Sequence, residues 1–256
     1  MAAAQRKRSM KQLHLGTIGW SYDFWKGNFY PQKTISKDFL GFYSSRFDTV
    51  EVDNTFYRIP PSQAVINWKN QTPDGFVFSL KFPRVITHIK MLKDCKAETH
   101  LFLERAKLLE QKLGPLLLQF PQNFGVEHFA DLAGFLAELP KLNRYVVEVR
   151  DKRFFNKEFY TLLRANRVAL AWVDSPNIPT IEQVTAEFLY FRWEGDRKKI
   201  NGTLGKIEAD QKDGLGCWAE KLKVNLNKNK EIFGYFGKYY SGYPPSDIEF
   251  LLGLIT

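Results

Sequence analysis

Cysteine and histidine are scarce in this sequence of 256 residues, which narrows the chemistry expected of any site. The two cysteines, Cys95 and Cys217, lie far apart and belong to no CxxC pair, so they predict free thiols in a reducing compartment. Of the four histidines, only His88 falls at the end of a predicted strand. A histidine-rich zinc centre is therefore not expected. We assign no metal ligand, and the cofactor is unknown.

Long apolar runs and interdomain linkers are lacking as well. No run approaches the roughly 20 apolar residues that a bilayer span needs. Residues 1–11 carry basic side chains but no apolar core of a signal peptide. We therefore expect a basic, disordered tail over residues 1–11 and one folded domain over residues 12–256. We also expect a cytoplasmic protein without a membrane partner, whose oligomeric state is unknown.

Positive charge is present in excess, with a net charge of +9 and a pI near 9.4. Such a charge permits binding to phosphate-bearing partners, including nucleic acid. Much of the excess lies in residues 1–11 and in the lysines of residues 221–230, which are typical of a solvated helix face. Nucleic acid therefore remains an alternative partner, and a small anionic or sugar-like ligand is the expected one.

Eight short β-rich runs recur along the chain, each bounded by turn residues. The segments between them show helical spacing of apolar residues, as in Thr99–Leu113 and Glu127–Leu139, or helix boundary signals such as Pro61 and Pro140. The eight predicted strands are His14–Trp20, Thr49–Asn54, Phe76–Pro83, Gly114–Pro121, Arg144–Asp151, Val168–Ser175, Phe188–Gly195 and Glu231–Gly237.

Strand and helix alternating eight times over about 250 residues predict an α/β fold, a (β/α)₈ or TIM barrel with a parallel eight-stranded sheet and outer helices. A doubly wound open sheet is the rival fold. It usually has fewer strands and a glycine-rich phosphate loop, and neither GxGxxG nor GxxxxGK[ST] occurs here.

Alternation along the predicted strands sends charged side chains toward the barrel interior. In the second strand, Val50 and Val52 form the apolar face, which leaves Glu51 on the opposite face. The same reasoning applies to five of the eight strands. It places the acids Glu51, Asp53, Glu148, Asp174 and Glu194 and the bases Lys81, Arg150 and Arg192 inside, mostly near the carboxyl ends. Because buried charge is costly unless paired, these residues indicate either a polar site or a plug of ion pairs.

The predicted loops after the strands are rich in aromatic residues, notably around Trp20, Trp25 and Tyr57. Such residues suit stacking on a sugar or a base. They equally suit a loop that packs over the end of the barrel.

Several ordered motifs resemble the YecE-like family, known as domain of unknown function 72. The segments that carry the resemblance are GTIGWSYDFWKGNFYP, FDTVEVDNTFYRIP, FVFSLKFPRVITH, LGPLLLQFP and VVEVRDKRFF, and the match runs from Leu15 to about Tyr243. The resemblance implies a TIM barrel with its shared polar residues at the carboxyl face. Carried over by motif, the implied site residues are Trp20, Tyr22, Trp25, Glu51, Asn54, Tyr57, Arg58, Lys81, His88, Gln119, Glu148, Arg150, Asp174 and Arg192.

Three departures from the family pattern occur. Glu194 stands where the family has a histidine, Gly237-Lys238 replaces an Asn-Asn pair, and Asp151-Lys152-Arg153-Phe154 follows the Glu-x-Arg motif where His or Ser-Trp is usual. An altered substrate and a loss of activity both remain open.

The leading hypothesis is an enzyme, of hydrolase, lyase or isomerase type, that acts on a phosphorylated or sugar-like substrate. Glu51, Lys81, Glu148 and Asp174 are the candidate catalytic residues, as acids and bases, as ligands of a hard metal ion, or with lysine as a nucleophile. The candidate binding residues are Trp20, Tyr22, Trp25, Asn54, Tyr57, Arg58, His88, Gln119, Arg150, Arg192 and Glu194. A nucleic-acid-associated protein and a catalytically silent scaffold are the alternatives.

Overall fold

Eight parallel strands close into a barrel in this computed structural model, which describes residues 12–255. Each strand pairs with its neighbours in chain order, which confirms the predicted (β/α)₈ barrel. The tail predicted over residues 1–11 lies outside the described residues. The strands are β1 (Leu13–Ile18), β2 (Thr49–Val52), β3 (Val77–Lys81), β4 (Leu113–Gln119), β5 (Tyr145–Glu148), β6 (Ala169–Asp174), β7 (Phe188–Trp193) and β8 (Glu231–Phe236).

Helices surround the barrel, although not between every pair of strands. Within residues 12–255 they are α1 (Phe39–Ser44), α2 (Ser62–Gln71), α3 (Lys96–Lys107), α4 (Phe129–Glu138), α5 (Lys157–Asn166), α6 (Lys212–Asn227) and α7 (Pro244–Ile255). The expectation of a helix after every strand is wrong for the connection from β6 to β7, residues 175–187. Pro176 and Pro179 lie in this stretch, and proline disfavours a helix interior.

Apolar side chains form two buried layers. The outer layer joins the helices to one face of the strands and includes Val50, Phe78 and Val147. The inner layer fills the barrel and includes Val146 and Phe233. The predicted alternation of β2, β3, β5 and β7 is confirmed by this division, because their alternate apolar residues belong to the outer layer.

The pairing of β1 with β2 depends on a tyrosine inserted from α1. The Tyr43 hydroxyl accepts a hydrogen bond from the Thr17 backbone N–H at 2.9 Å and donates to the Thr49 carbonyl at 2.9 Å. The two strands approach so closely here that a Cβ on Gly16 would lie 2.1 Å from the Thr49 carbonyl oxygen. A glycine is therefore required at this position.

No helix among residues 12–255 combines the length and the apolar character needed to span a membrane.

An ionic cluster closes the amino-terminal end of the barrel. The His14 ring stacks on Phe233 at 5.0 Å, its Nδ1 lies 2.7 Å from Asp48, and its Nε2 lies 3.6 Å from Glu231. Burial lowers the pKa of His14, but the hydrogen bonds and charges of Asp48 and Glu231 outweigh burial and raise the pKa to about 9.

This raised pKa predicts a pH-dependent contribution of His14 to stability. The folded state binds the proton more tightly than the unfolded chain, so the contribution is complete below pH 6.5 and is lost as pH rises through about 9. We expect the difference in unfolding free energy between wild type and His14→Gln, measured by urea denaturation, to shrink from pH 6 to pH 9.5. The matched control is His100→Gln, at an exposed position of α3. A difference for His14→Gln that does not change with pH would contradict this account.

Candidate active site

A pocket of about 260 Å³ opens at the carboxyl ends of the strands, and we call it the mouth pocket. Side chains from several strands and from the loops that follow them converge here, as expected for the carboxyl face of this fold. Its lining consists of Ile18, Tyr22, Asp53, Phe56, Tyr57, Lys81, His88, Gln119, Arg150, Arg192, Glu194, Arg197, Gly237, Lys238 and Tyr239.

The floor of the mouth pocket is a buried arginine held by three glutamates. The Arg192 Nε and Nη2 donate to the two carboxylate oxygens of Glu51 at 3.0 and 2.9 Å, a bidentate pairing. The Arg192 Nη1 donates to Glu148 Oε2 at 2.5 Å and also to Glu194. Arg192 is only 2% exposed. Its guanidinium is thus occupied by protein carboxylates, although the sequence placed Arg192 among the candidate binding residues.

Glu51 is fully buried, and both of its carboxylate oxygens accept hydrogen bonds from protein side chains. Besides the two bonds from Arg192, its Oε2 accepts a hydrogen bond from the Tyr190 hydroxyl at 2.8 Å. Tyr190 in turn shares a hydrogen bond of 2.7 Å with the Ser79 hydroxyl inside the barrel. This network fixes Glu51, which then fixes the orientation of Arg192.

Glu148 differs from Glu51 because one of its oxygens lacks a hydrogen bond. Its Oε1 is buried and has no hydrogen-bond partner among the described residues. Arg150 Nη2 lies 3.7 Å from that oxygen. Burial raises the pKa of Glu148 and is the largest effect, opposed by the charges of Arg192 and Arg150. The protonated form of Glu148 is therefore favoured relative to an ordinary carboxyl group.

Glu148 and Glu194 respond differently to the charges around the floor. Four carboxylates, those of Glu51, Asp53, Glu148 and Glu194, lie among three cations, Lys81, Arg150 and Arg192. The rim adds two more cations, Arg197 and Lys238. Burial raises the pKa of Glu194, but the nearby charges of Arg192, Arg150 and Lys81 lower it overall. Glu148 is thus the better holder of the proton.

His88 adds no positive charge to the mouth pocket near neutral pH. Burial lowers its pKa, together with the charges of Lys81, Arg150 and Arg84, to about 4. The ring lies on a π-helical turn, Val85–Ile89, and contacts Phe56 edge to face at 4.8 Å. Such turns often occur at functional sites. His88 therefore offers a neutral imidazole.

The rim of the mouth pocket presents cationic groups to the opening. Arg150 donates no hydrogen bond to any residue from 12 to 255, and its ion pairs with Glu148 and Glu194 are long, at 3.7 and 3.6 Å. Arg197 lies over the Tyr239 ring at 5.0 Å, and Lys238 lies 5.1 Å from the same ring. Within the described part of the chain, neither of these two has an ion-pair partner. The opening is suited to an anion.

A second pocket of about 200 Å³ adjoins the first, and we call it the side pocket. The two pockets share Tyr22, Asp53 and Tyr57. Of the residues predicted to bind a ligand, Trp20 and Asn54 line only the side pocket.

Five predicted site residues line neither pocket. Glu51 and Glu148 are buried beneath the mouth pocket, and the positions of the other three correct the predictions made from the sequence. Asp174 does not face the interior: its Oδ2 accepts a hydrogen bond from the Trp218 Nε1 of α6 at 2.7 Å, on the outer side of the barrel. Trp25 is fully buried among the aromatic rings of its own loop, including Tyr22 and Phe29, and cannot contact a ligand in either pocket. Arg58 is exposed and lines neither pocket.

Three charged residues of the mouth pocket, Asp53, Arg197 and Lys238, are absent from the predicted site. Strand alternation places Asp53 inside the barrel, and its Oδ1 lies 3.0 Å from the Lys81 ammonium. Lys238 lies at one of the departures from the family pattern. Arg197 carries no sequence signal, because it belongs to the long loop between β7 and α6.

The three glutamates converge on a guanidinium. In residues 12–255 no group of three or more His, Cys, Asp or Glu side chains is arranged to hold a metal ion.

Comparisons with known proteins agree with the fold. The family model described as Protein of unknown function DUF72 matches residues 14–256. The UPF0759 protein YecE of Escherichia coli (strain K12) is 34% identical over 145 residues, 57% of this chain and 51% of YecE, so the chain spans about half the length of that relative. The UPF0759 protein YunF of Bacillus subtilis (strain 168) is 29% identical over 245 residues, 89% of this chain and 78% of YunF. The crystal structure of a DUF72 family protein from Thermotoga maritima MSB8 superposes with a TM-score of 0.72 at 26% identity and covers 94% of this chain and 96% of that one.

The buried arginine generates a stability prediction. Replacing Arg192 by Met leaves Glu51 and Glu148 buried without their main cation, which costs about 3–5 kcal/mol of unfolding free energy at pH 7. The cost should fall toward pH 5, because the carboxyl groups then take up protons. Urea denaturation at the two pH values measures both effects. Arg46→Met removes an exposed ion pair with Glu249 and is the control, with a far smaller effect. An equally small effect of Arg192→Met would refute the proposed role of this residue.

Proposed function

This chain belongs to the DUF72 family, and for this member of the family we propose an enzyme that binds a small phosphorylated, sugar-like substrate in the mouth pocket and uses Glu148 as its acid and base. The observation that carries the proposal is that a glutamate oxygen and a guanidinium lie close together, and neither forms a hydrogen bond with residues 12–255. Glu148 Oε1 and Arg150 Nη2 lie 3.7 Å apart: Arg150 lines the mouth pocket, and Glu148 is buried beneath it. Perturbed carboxyl groups in a cleft are typical of catalytic sites.

Arg150 and the rim cations Arg197 and Lys238 would hold the phosphate. Arg150 is the best suited of the three, because its planar donors match phosphate oxygens and form no hydrogen bond with residues 12–255. Lys238 and Arg197 stand on loops after β8 and β7, where barrels of this kind frequently bind phosphate. The volume of about 260 Å³ limits this part of the ligand to a small molecule.

Glu148 would transfer its proton to a substrate oxygen placed beside Oε1. The proton leaves the carboxyl group as the substrate oxygen takes it up, and the resulting carboxylate is stabilised by Arg192 and Arg150. A positioned acid of this kind accelerates a reaction by roughly 10²–10⁴-fold. Glu51 would act as a positioning residue for Arg192, because all its hydrogen bonds are internal.

The remaining lining suits the hydroxyl groups of a sugar. Gln119 is nearly buried and its side-chain amide makes no hydrogen bond with residues 12–255, so both donors and the acceptor are available. His88 contributes a neutral ring. Tyr57 and Tyr239 supply aromatic faces on which a sugar ring can pack.

The alternative functions have weaker support. A silent scaffold predicts inward charges that pair completely beneath a closed mouth, whereas the mouth pocket is open and Arg150 is free to donate. The case for nucleic acid rests on net charge, and several lysines of residues 221–230 are paired with acids, namely Lys221 with Glu182, Lys223 with Glu220 and Lys230 with Glu187.

Binding of defined sugar phosphates tests the proposal. We expect isothermal titration calorimetry to show tighter binding of glucose 6-phosphate than of glucose or of inorganic phosphate alone. Arg150→Gln should weaken binding of glucose 6-phosphate by roughly 10- to 100-fold, because it removes charged hydrogen bonds. Arg46→Gln, at the opposite end of the barrel, is the matched control and should leave the affinity as in wild type. No binding of any phosphorylated sugar would overturn the proposal, and retention of an oligonucleotide instead would favour nucleic acid.

Conversion of a sugar-phosphate panel, followed by ³¹P nuclear magnetic resonance, tests the role of Glu148. Glu148→Gln keeps the shape and hydrogen-bonding capacity of the protonated side chain but cannot release a proton. We expect it to slow the conversion by roughly 10²–10⁴-fold while the affinity changes by no more than a few-fold. Binding without conversion of any panel compound would contradict the enzymatic part. Equal rates for wild type and variant would contradict the role of Glu148.

A further inference from the structure

The side pocket differs from the mouth pocket in charge. The cations Arg150, Arg197 and Lys238 all line the mouth pocket, and none of them reaches the side pocket. Asp53 is the one Asp, Glu, Lys, Arg or His residue in the lining of the side pocket, and it lies on the wall that the two pockets share. A second phosphate is therefore disfavoured in the side pocket, while an uncharged group is accepted.

Polar atoms of the side pocket are available to a ligand. The side chains of Ser21 and Asn54 are exposed and form no hydrogen bond with residues 12–255. The Asp53 Oδ1 pairs with Lys81, but its Oδ2 accepts no hydrogen bond from the described residues. A hydroxyl, an amide and a carboxylate oxygen together match the alternating donors and acceptors of a sugar ring.

Aromatic side chains supply the apolar faces of the side pocket. Tyr57 is 68% exposed and stands between the two pockets. Trp20 forms the inner wall, and its ring is held edge to face against Trp68 of α2 at 5.9 Å. A fixed indole and an open tyrosine ring are suited to pack against the C–H face of a sugar.

We propose that the side pocket is a subsite for a second, uncharged sugar ring, so that the substrate is a phosphorylated disaccharide or a similar glycoside. The volume of about 200 Å³ suits a single ring. The phosphorylated ring occupies the mouth pocket, and Asp53 contacts the hydroxyl groups near the junction. This inference rests on the proposed function, since it takes the anion site in the mouth pocket as given.

Affinity ratios test the subsite. Wild-type protein is titrated with glucose 6-phosphate and with three disaccharide phosphates of different linkage: trehalose 6-phosphate, sucrose 6-phosphate and lactose 6′-phosphate. We expect at least one of them to bind about tenfold or more tighter than glucose 6-phosphate. Asn54→Ala removes the amide, and Ser21→Phe fills the side pocket with a ring from an exposed position. In both variants the ratio of disaccharide to monosaccharide affinity should fall toward one.

The control and the contrary outcomes separate this inference from the proposed function. Asn70→Ala changes an exposed asparagine at the far end of α2 and should keep the wild-type ratio. If glucose 6-phosphate binds and no disaccharide phosphate binds tighter, the subsite is refuted and the proposed function stands. If the ratio is high but Asn54→Ala and Ser21→Phe retain it, the second ring lies elsewhere and the subsite is again refuted. If no sugar phosphate binds, the proposed function fails and the subsite fails with it.

Discussion

The burial of one guanidinium beneath three carboxylates is the constraint on which the candidate site depends. Arg192 is 2% exposed, and a charge in such a place costs several kcal/mol unless close partners compensate it. Glu51 compensates it through two hydrogen bonds and is held by Tyr190. Once Arg192 is fixed in this way, Glu148 is held through Oε2 alone, which leaves Oε1 facing Arg150 without a hydrogen bond. The unpaired oxygen of Glu148 thus follows from the fixed position of Glu51.

The inner layer of the barrel explains why the charges gather at one end. Aromatic residues such as Phe188 and Phe233 fill the amino-terminal half. Above them lies a layer of hydroxyl groups, in which Tyr235 bonds Thr49 at 2.8 Å and Tyr190 bonds Ser79 at 2.7 Å. These hydroxyls provide a gradual change from apolar core to ionic floor. The charged side chains therefore lie toward the carboxyl ends of the strands, next to the mouth pocket.

The alternation of strands and helices predicted the fold. The alternation of apolar and charged side chains within strands predicted much of the floor, because a strand with one apolar face has an unambiguous inner side. The same reasoning failed for Asp174, since β6 is apolar on both faces: Ala169 and Ala171 point inward while Trp172 packs outward. Trp25 was misplaced because an aromatic loop that packs on itself has the same composition as one that stacks on a ligand. Arg197 could not be found, because only tertiary structure brings its long loop over the pocket.

The difference in charge between the two adjoining pockets would determine the orientation of a bound ligand. Cations line the mouth pocket, whereas Asp53 is the acid next to the side pocket, with one oxygen unpaired. Two like charges 4 Å apart repel by about 1 kcal/mol in water and about 4 kcal/mol near a protein surface. A phosphate placed in the side pocket would meet this repulsion and lose the attraction of Arg150. Because about 1.4 kcal/mol corresponds to a tenfold change in affinity, the electrostatic difference alone would favour one orientation of the ligand strongly.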